Sequence, residues 1–312
     1  MQQKDTTTPE PVERPGLMHV VEYALARTVS ALVMVLPYRA ALFVGWIVAA
    51  LCYFVFRFRV AAAKRRLRQV FGDRFSEREI GRIAWLSWRN FAFCVIDMIR
   101  LPSITMTWLK VHLSGWEEAI EVLKTHSAGG KRGGVIACPH MGAWEMAGVA
   151  LQVMQIPVFF LTGKQKNPLV DAYINRLRGR TGIDTVQRGS LMIRGVLRRL
   201  KDGHYLAFLP DVRMATEGLR IKFLGGEANV PAGMALFARQ AMVPIYPAIV
   251  TRVGWSDHTA RLCEPIWPDE NVDKVEDWRR MTQEVFDVID RAIREQPEQW
   301  FWFNKRWILD PL

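Results

Sequence analysis

Cysteine and histidine are both scarce in this chain. Its 312 residues include four cysteines and six histidines. Cys52, Cys94, Cys138 and Cys263 form no C-x-x-C pair and have no spacing typical of metal ligands. A fold of this length does not need disulfides for its stability. Reduced thiols in a domain that faces the cytosol are therefore the simpler interpretation, and neither a metal nor another cofactor is expected.

The sequence also lacks internal repeats and low-complexity segments. Half of its residues are hydrophobic, which argues against intrinsic disorder. Charged residues make up 23% and are spread through most of the chain, which argues against a polytopic membrane protein. No stretch between residues 70 and 312 has the composition of a flexible linker. One catalytic domain is therefore predicted for this part of the chain.

Positive charge exceeds negative charge. The formal net charge is +11, so an anionic partner is expected, and a nucleic acid, a phospholipid surface or an acidic small molecule would each fit. No recognisable nucleic-acid motif accompanies the charge, which disfavours the first. Twelve tryptophans in a basic protein favour the membrane interface.

The N-terminal sixty residues are predicted to lie outside the catalytic domain, as a leader followed by a membrane anchor. Residues 1–16 contain three prolines and no apolar face, which predicts a disordered leader rather than a secretory signal. Residues 17–60 are predicted to be a hydrophobic membrane anchor, because 40–56 carry no charge over a length at the lower limit for a spanning helix. The alternative is a buried hairpin of a soluble protein. The run that follows this segment is basic and contains no acidic residue; its cations are Arg57, Arg59, Lys64, Arg65, Arg66 and Arg68. This charge predicts that the domain formed by 61–312 lies on the cytoplasmic side.

Short apolar runs alternate with amphipathic stretches after residue 75. Ser76 and Glu79 have the spacing of a capping box, which predicts the start of a long helix. The alternation predicts an α/β fold in which a mixed central sheet is flanked by helices. The predicted strands are 135–138, 157–161, 204–209 and 243–250, and the predicted helices are 115–124, 145–154, 167–180, 191–201, 232–240 and 275–295.

His140 is the histidine best placed for chemistry. Pro139 ends the buried strand before it, so His140 is expected in a loop at the carboxyl end of a strand, where open α/β sheets bind ligands. Glu145 falls at the start of the next helix and could hydrogen-bond the imidazole, as a general base requires. A structural histidine near a helix cap is the alternative. A Cys138 nucleophile is disfavoured because strand alternation turns that thiol away or into the core.

The string from Cys138 to Glu145 resembles the H-x4-[DE] block of the glycerolipid acyltransferase superfamily. Within it, the chain is most similar to the late lipid A biosynthesis acyltransferases of Gram-negative inner membranes, which transfer lauroyl and myristoyl groups. Further blocks follow in the same order over residues 40 to 310: Asn167-Pro168 with Arg178 and Arg180, Phe208-Leu-Pro-Asp211, Phe223-Leu-Gly-Gly, and Pro297-Glu-Gln-Trp-Phe-Trp-Phe-Asn-Lys-Arg-Trp307.

The resemblance implies an acyltransferase domain. It implies that a fatty acyl group passes from an acyl-carrier-protein or CoA thioester to a hydroxyl of a lipid A precursor. His140 would then be the general base, oriented by Glu145, and the backbone N–H of Gly142 would stabilise the oxyanion. Another glycolipid, such as a mannosylated inositol lipid, or a lysophospholipid is an alternative acceptor, and a non-catalytic protein that binds membrane surfaces is an alternative function.

The resemblance also suggests which residues bind the substrates. The Arg-Pro pair usual before the Asn-Pro block is replaced here, so Lys164 or Lys166 would supply its charge. Together with Arg178 and Arg180, these cations would bind phosphates of the acceptor or of the pantetheine arm. Asn167 and Asp211 belong to the same predicted set of substrate-binding residues. Asp211 is expected either to hold Arg178 or a neighbouring base, or to cap a turn.

The C-terminal aromatic residues leave two interpretations open. Trp300-Phe301-Trp302-Phe303 with Lys305, Arg306 and Trp307 is suited to a membrane interface or to the acceptor. Alternatively, these aromatic side chains pack in the core.

Overall fold

A computed structural model describes residues 15–126, 132–163, 166–187, 189 and 192–309. The predicted leader lies almost wholly outside these residues. The helices are α1 Leu17–Val35, α2 Tyr38–Ala50, α3 Val60–Phe71, α4 Glu77–Arg100, α5 Met106–His112, α6 Trp116–His126, α7 Trp144–Val153, α8 Pro168–Gly179, α9 Met192–Lys201, α10 Gly233–Ala241 and α11 Lys274–Glu295. The strands are β1 Leu113–Ser114, β2 Gly134–Ala137, β3 Val158–Thr162, β4 Asp184–Gln187, β5 Tyr205–Phe208, β6 Leu219–Phe223, β7 Gly226–Val230, β8 Ile245–Val253 and β9 Asp257–Leu262.

Seven strands form one mixed sheet in the order β1-β9-β8-β2-β5-β3-β4. Only β8 and β9 run antiparallel to each other within it, and the other neighbours are parallel. Strands β6 and β7 form a separate antiparallel hairpin. Helices cover the sheet, so the predicted α/β class with a mixed central sheet is confirmed.

The core lies on both faces of the sheet. Successive residues of a strand point to opposite faces, and β2 shows this directly: Val135 and Ala137 join one hydrophobic cluster, whereas Ile136 and Cys138 join the other. All of β2 is buried, as expected for a central strand with helices on both sides. The loop that follows β2 is therefore anchored to a fully buried strand at the centre of the sheet.

Helix α4 connects this domain to the N-terminal helices. It begins with the predicted capping box, in which Ser76 and Glu79 satisfy each other's backbone N–H groups. Its middle packs against α2, where Phe93 and Ile96 form a small cluster with Leu42. Arg100, its last residue, donates hydrogen bonds to the carbonyl of Val33 in α1 and to that of Leu36, which follows α1.

Helices α1 and α2 are apolar and largely exposed. Leu17–Val35 and Tyr38–Val55 are each long and apolar enough to cross a membrane, and a π-helical turn, Leu51–Val55, continues α2 to that length. Only 11% of the first segment and 28% of the second are buried by the rest of the protein. The described part of the chain thus carries the hydrophobic N-terminal helices that the sequence predicts.

Candidate active site

His140 and Asp211 meet because their strands are neighbours. Strands β2 and β5 run parallel with Ala137 opposite Phe208. His140 comes three positions after the end of β2, and Asp211 comes three positions after the end of β5. The imidazole Nδ1 lies 2.8 Å from Asp211 Oδ1. A carboxylate can only accept, so Nδ1 carries the proton and Nε2 is the basic nitrogen. This is the tautomer that a general base needs.

Asp211 is held by three donors. Its Oδ2 accepts from the backbone N–H of His140 at 2.9 Å and from the indole Nε1 of Trp300 at 2.8 Å. Burial alone would raise the pKa of this carboxyl group, but the charge of His140 and these hydrogen bonds outweigh burial and lower it. Asp211 is therefore a fixed anion in a protein interior.

The interaction with Asp211 also changes the pKa of His140. Burial acts to lower the pKa of the imidazole, but the Asp211 carboxylate, with a smaller contribution from Glu145, raises it above its ordinary value. The ring also packs edge-on against Trp144, with 5.2 Å between centroids. These contacts orient the imidazole and stabilise its protonated form.

The prediction that Glu145 orients His140 is wrong in its geometry. Glu145 instead forms a two-pronged ion pair with Arg178 on α8, at 2.6 Å and 3.3 Å. Glu145 begins α7 and points across to that helix, while Asp211 already occupies the Nδ1 side of the ring. Of the alternatives left open for Asp211, the structure shows that it holds the neighbouring base and not Arg178.

The prediction of an oxyanion role for the Gly142 N–H is also wrong. That N–H donates to the carbonyl of Gln299 at 3.1 Å, and a backbone N–H has only one proton to give. Gly142 has φ +58°, and a Cβ here would lie 2.2 Å from the carbonyl oxygen of Val250 on β8. The glycine therefore allows the catalytic loop to lie against β8.

A large apolar cavity of about 480 Å³ opens beside His140. Its polar end contains His140 and the Glu145–Arg178 pair. The volume falls within the range of roughly 300–1,000 Å³ that small-molecule pockets occupy. Most of its wall is hydrophobic and includes Trp144, Leu151, Phe160, Ala207, Val212 and Val250. The cavity is large enough to enclose an apolar chain, and His140 borders it.

His140 also borders a narrow cleft formed by the C-terminal segment. Asp211, Trp300, Asn304 and Arg306 line this second opening. Arg306 is exposed, so its guanidinium is available to an anionic group that approaches His140. The imidazole therefore lies between an apolar cavity and a narrow cleft of mixed aromatic and polar lining, in which Arg306 is the one cationic side chain besides His140 among the described residues. In the described part of the chain, no three His, Cys, Asp or Glu side chains come together as a metal site requires.

The model of a family described as bacterial lipid A biosynthesis acyltransferase matches residues 14–308. The chain belongs to this family. The predicted family is thus confirmed, and the predicted enzyme class, an acyltransferase, is that of the family. A phosphatidylinositol mannoside acyltransferase of Mycolicibacterium smegmatis (strain ATCC 700084 / mc(2)155) is 23% identical over 186 residues. The matched region is 57% of the chain and 58% of that relative's own length.

The other predicted binding residues of this acyltransferase-family protein are dispersed. Lys164 lies outside the described residues. Lys166 and Arg180 are exposed and do not line either opening at His140, so their roles stay predictions. Arg178 lines the apolar cavity but is neutralised by Glu145.

The predicted substrate role of Asn167 is not supported. Its amide oxygen caps α8 by accepting from two backbone N–H groups. Its amide nitrogen donates to the carbonyl of His19 and to the carboxylate of Glu22, both on α1. All four hydrogen-bonding positions of the amide are used within the protein. Asn167 is therefore a helix cap that joins α8 to α1.

The C-terminal aromatic residues mostly pack in the core. Trp300, Trp302 and Phe303 are buried, and Phe301 is half-buried. This overturns the membrane-interface interpretation for the buried three. Cys138 borders the apolar cavity, and burial raises the pKa of its thiol, which disfavours a thiolate nucleophile.

Two functional features were missed at the level of sequence. Trp300 was grouped with its aromatic neighbours, although it alone among them contacts Asp211. The pairing of His140 with Asp211 had a signal, because Ala137-Cys-Pro-His140 and Phe208-Leu-Pro-Asp211 have the same form. Each places a proline and then a polar residue after a buried strand.

Proposed function

We propose that the protein is an O-acyltransferase that moves a fatty acyl group from a thioester to a hydroxyl of a phosphorylated glycolipid. The observation that carries this proposal is the position of His140. Its Nδ1 is hydrogen-bonded to Asp211, and the ring borders both an apolar cavity and a narrow cleft that contains Arg306.

The reaction uses His140 as general base. Nε2 removes the proton from the acceptor hydroxyl as its oxygen attacks the thioester carbonyl. Asp211 stabilises the imidazolium that forms, much as the aspartate of a hydrolase triad does. When the tetrahedral intermediate collapses, the C–S bond breaks and the imidazolium returns the proton to the leaving thiolate. The products are an ester on the lipid and a free thiol on the carrier.

The donor places its acyl chain in the apolar cavity. Burial of methylene groups there supplies binding energy at roughly 0.8 kcal/mol per CH₂. The thioester carbonyl then lies at the polar end, beside His140. An acyl carrier protein or CoA presents the thioester through its pantetheine arm, and Lys164, Lys166 and Arg180 are the cations proposed to meet the phosphate of that arm.

The acceptor hydroxyl approaches His140 from the side of the narrow cleft, while its headgroup stays on the surface outside that cleft. Arg306 is positioned to bind a phosphate on its headgroup, because guanidinium pairs well with phosphate oxygens. Family membership favours a lipid A precursor as acceptor. The relative from Mycolicibacterium smegmatis acts, by its name, on a mannosylated inositol lipid, which supports another phosphorylated glycolipid as the second candidate.

The site of the reaction is the cytoplasmic face of the inner membrane. Exposed apolar side chains on α1 and α2 support insertion into a bilayer. The basic run after α2 supports a cytoplasmic position for the domain by the positive-inside tendency. An anionic membrane surface is then a partner of the protein, and no role for nucleic acid is proposed.

The test is transfer of labelled acyl groups by the purified full-length protein. Acyl-carrier-protein thioester and acyl-CoA are each offered with a panel of lipids, and His140→Ala is assayed in parallel after circular dichroism has shown that it is folded. Label on a phosphorylated glucosamine lipid, with the wild type only, is the expected result. Transfer to a mannosylated inositol lipid instead would make that lipid, and not a lipid A precursor, the acceptor. Equal transfer by His140→Ala would overturn the mechanism.

A further inference from the structure

Another cavity lies where α2 and its π-helical turn end. It has a volume of about 700 Å³ and is formed by the π-helical turn after α2, the start of α3 and the first half of α4. No residue lines both this cavity and either opening at His140. It is therefore separate from the catalytic site.

One wall of the cavity is aromatic. The rings of Phe54 and Tyr53 lie 5.0 Å and 5.5 Å from the ring of Trp85, measured between centroids. Phe54 is 58% exposed, and the wall continues onto the exposed apolar face of the helix at Leu51 and Val55. An alkyl chain lying in this wall would run directly into a membrane that surrounds α2.

The other wall is cationic. Arg57, Lys64 and Arg82 line the cavity, and none of its lining residues is acidic. Within the described residues, these three side chains make no hydrogen bond with the protein. Lys64 lies close enough to the exposed Glu77 to help lower the pKa of that carboxyl group, whereas Arg57 and Arg82 have no acidic neighbour of this kind in the described part of the chain. Three other cations of the basic run do have partners in the protein. Arg59 and Arg66 donate to C-terminal carbonyls, and Arg68 pairs with Glu77.

The backbone at the mouth of the cavity is unusual. A π-helical turn precedes Arg57, and such turns occur often at functional sites. Arg57 has φ +49° and Arg59 has φ +55°, a conformation that L-residues rarely adopt. This bend places the Arg57 side chain in the same cavity as Lys64 and Arg82, which belong to two other helices.

We propose that this cavity binds an anionic membrane phospholipid, with its phosphate among Arg57, Lys64 and Arg82 and one acyl chain along Phe54 and Trp85. Charge complementarity selects an anionic ligand, and the apolar wall next to a candidate membrane helix selects a lipid. The site is separate from that of acyl transfer, because no described residue of this cavity lines either opening at His140.

Binding to the detergent-solubilised full-length protein tests this. The probe is a fluorescent short-chain phosphatidylglycerol, followed by anisotropy, and phosphatidylcholine with the same chains is the comparison lipid. The variant Arg57→Gln/Arg82→Gln is matched by Arg194→Gln/Lys201→Gln, which removes two exposed charges elsewhere. Because hydrogen bonds between charged groups are lost, the first variant should weaken phosphatidylglycerol binding roughly tenfold or more. The control variant should bind as the wild type does.

Three results would overturn the proposal. The first is equal binding of phosphatidylglycerol by the two variants, and the second is equal affinity of the wild type for the two lipids. The third is glycerol phosphate binding as tightly as the lipid, which would make the site one for a soluble phosphate. Acyl transfer in detergent by Arg57→Gln/Arg82→Gln should equal that of the wild type, so the outcome does not depend on the proposed reaction.

Discussion

Two segments rich in large apolar residues lie in opposite environments. Three of the four side chains of Trp300–Phe303 are buried, and Trp302 is completely so. Helices α1 and α2 leave many apolar side chains exposed, with Leu17 at 82% and Phe56, just after the π-helical turn, at 71%. Hydrophobic composition alone therefore does not decide which apolar segment joins the core.

The difference follows from backbone hydrogen bonding. The C-terminal segment is irregular, so its polar groups need partners from elsewhere: Ser87 donates to the carbonyl of Trp300, and Arg66 donates to that of Trp302. Helices satisfy their own backbone groups and can therefore face lipid. An irregular apolar segment has to be buried among donors, whereas a helical one can remain exposed to a membrane.

The largest expected effect comes from removing the buried indole of the C-terminal segment. Trp302→Ala leaves a cavity in the core and should lower the free energy of unfolding by about 3–5 kcal/mol. Urea denaturation in detergent, followed by circular dichroism, measures this. Trp255→Ala, which removes a tryptophan that is 37% exposed, should lower the free energy of unfolding clearly less. Equal losses would break the contrast between enclosed and exposed aromatic residues.

A smaller effect should follow the loss of one hydrogen bond. Trp300→Phe keeps a ring in the core but removes the donor to Asp211. A hydrogen bond to a charged group contributes roughly 1.5–3 kcal/mol, so kcat should fall roughly 10- to 100-fold. Steady-state kinetics measures the loss. Trp300→Tyr, which returns a donor, should recover part of the rate, and an unchanged kcat in Trp300→Phe would contradict the role given to this indole.

The smallest effect on stability is expected on α1. Leu25→Ser/Leu32→Ser replaces two exposed leucines and should change the free energy of unfolding in detergent by no more than about 0.5 kcal/mol per site. Binding to vesicles, measured by flotation, should decrease because apolar surface is lost. A destabilisation comparable to that of Trp302→Ala would mean that this face packs against protein instead of lipid.

Much of the central sheet could be predicted from sequence. Apolar runs bounded by Pro and Gly located β2, β3, β5 and β8, and the capping box located the start of α4. Strands β4 and β9 were missed because both lie toward the edges of the sheet and are rich in polar residues. The β6–β7 hairpin was missed because its turn, Leu224-Gly225, was interpreted only as part of a family block.

The site was predicted less completely than the fold. His140 was found because it follows a buried strand, but its partner depends on which strand lies next to β2. That order is a tertiary property, since β5 is separated from β2 in the chain by β3 and β4. Glu145 was closer in sequence and therefore a natural candidate, but Arg178 competes for it.

The most direct test of the account compares Asp211→Asn with Glu145→Gln through the pH dependence of kcat/KM. Because Asp211 raises the pKa of His140 and the base must be neutral, the wild-type rate should rise with pH through an apparent pKa above about 6.5. Asp211→Asn should lower kcat/KM by roughly 10³-fold or more and move this limb to lower pH. Glu145→Gln should produce a smaller loss and a smaller shift in the same direction. If Glu145→Gln moves the limb further than Asp211→Asn, and Asp211→Asn keeps the wild-type rate, Asp211 is not the partner of the base.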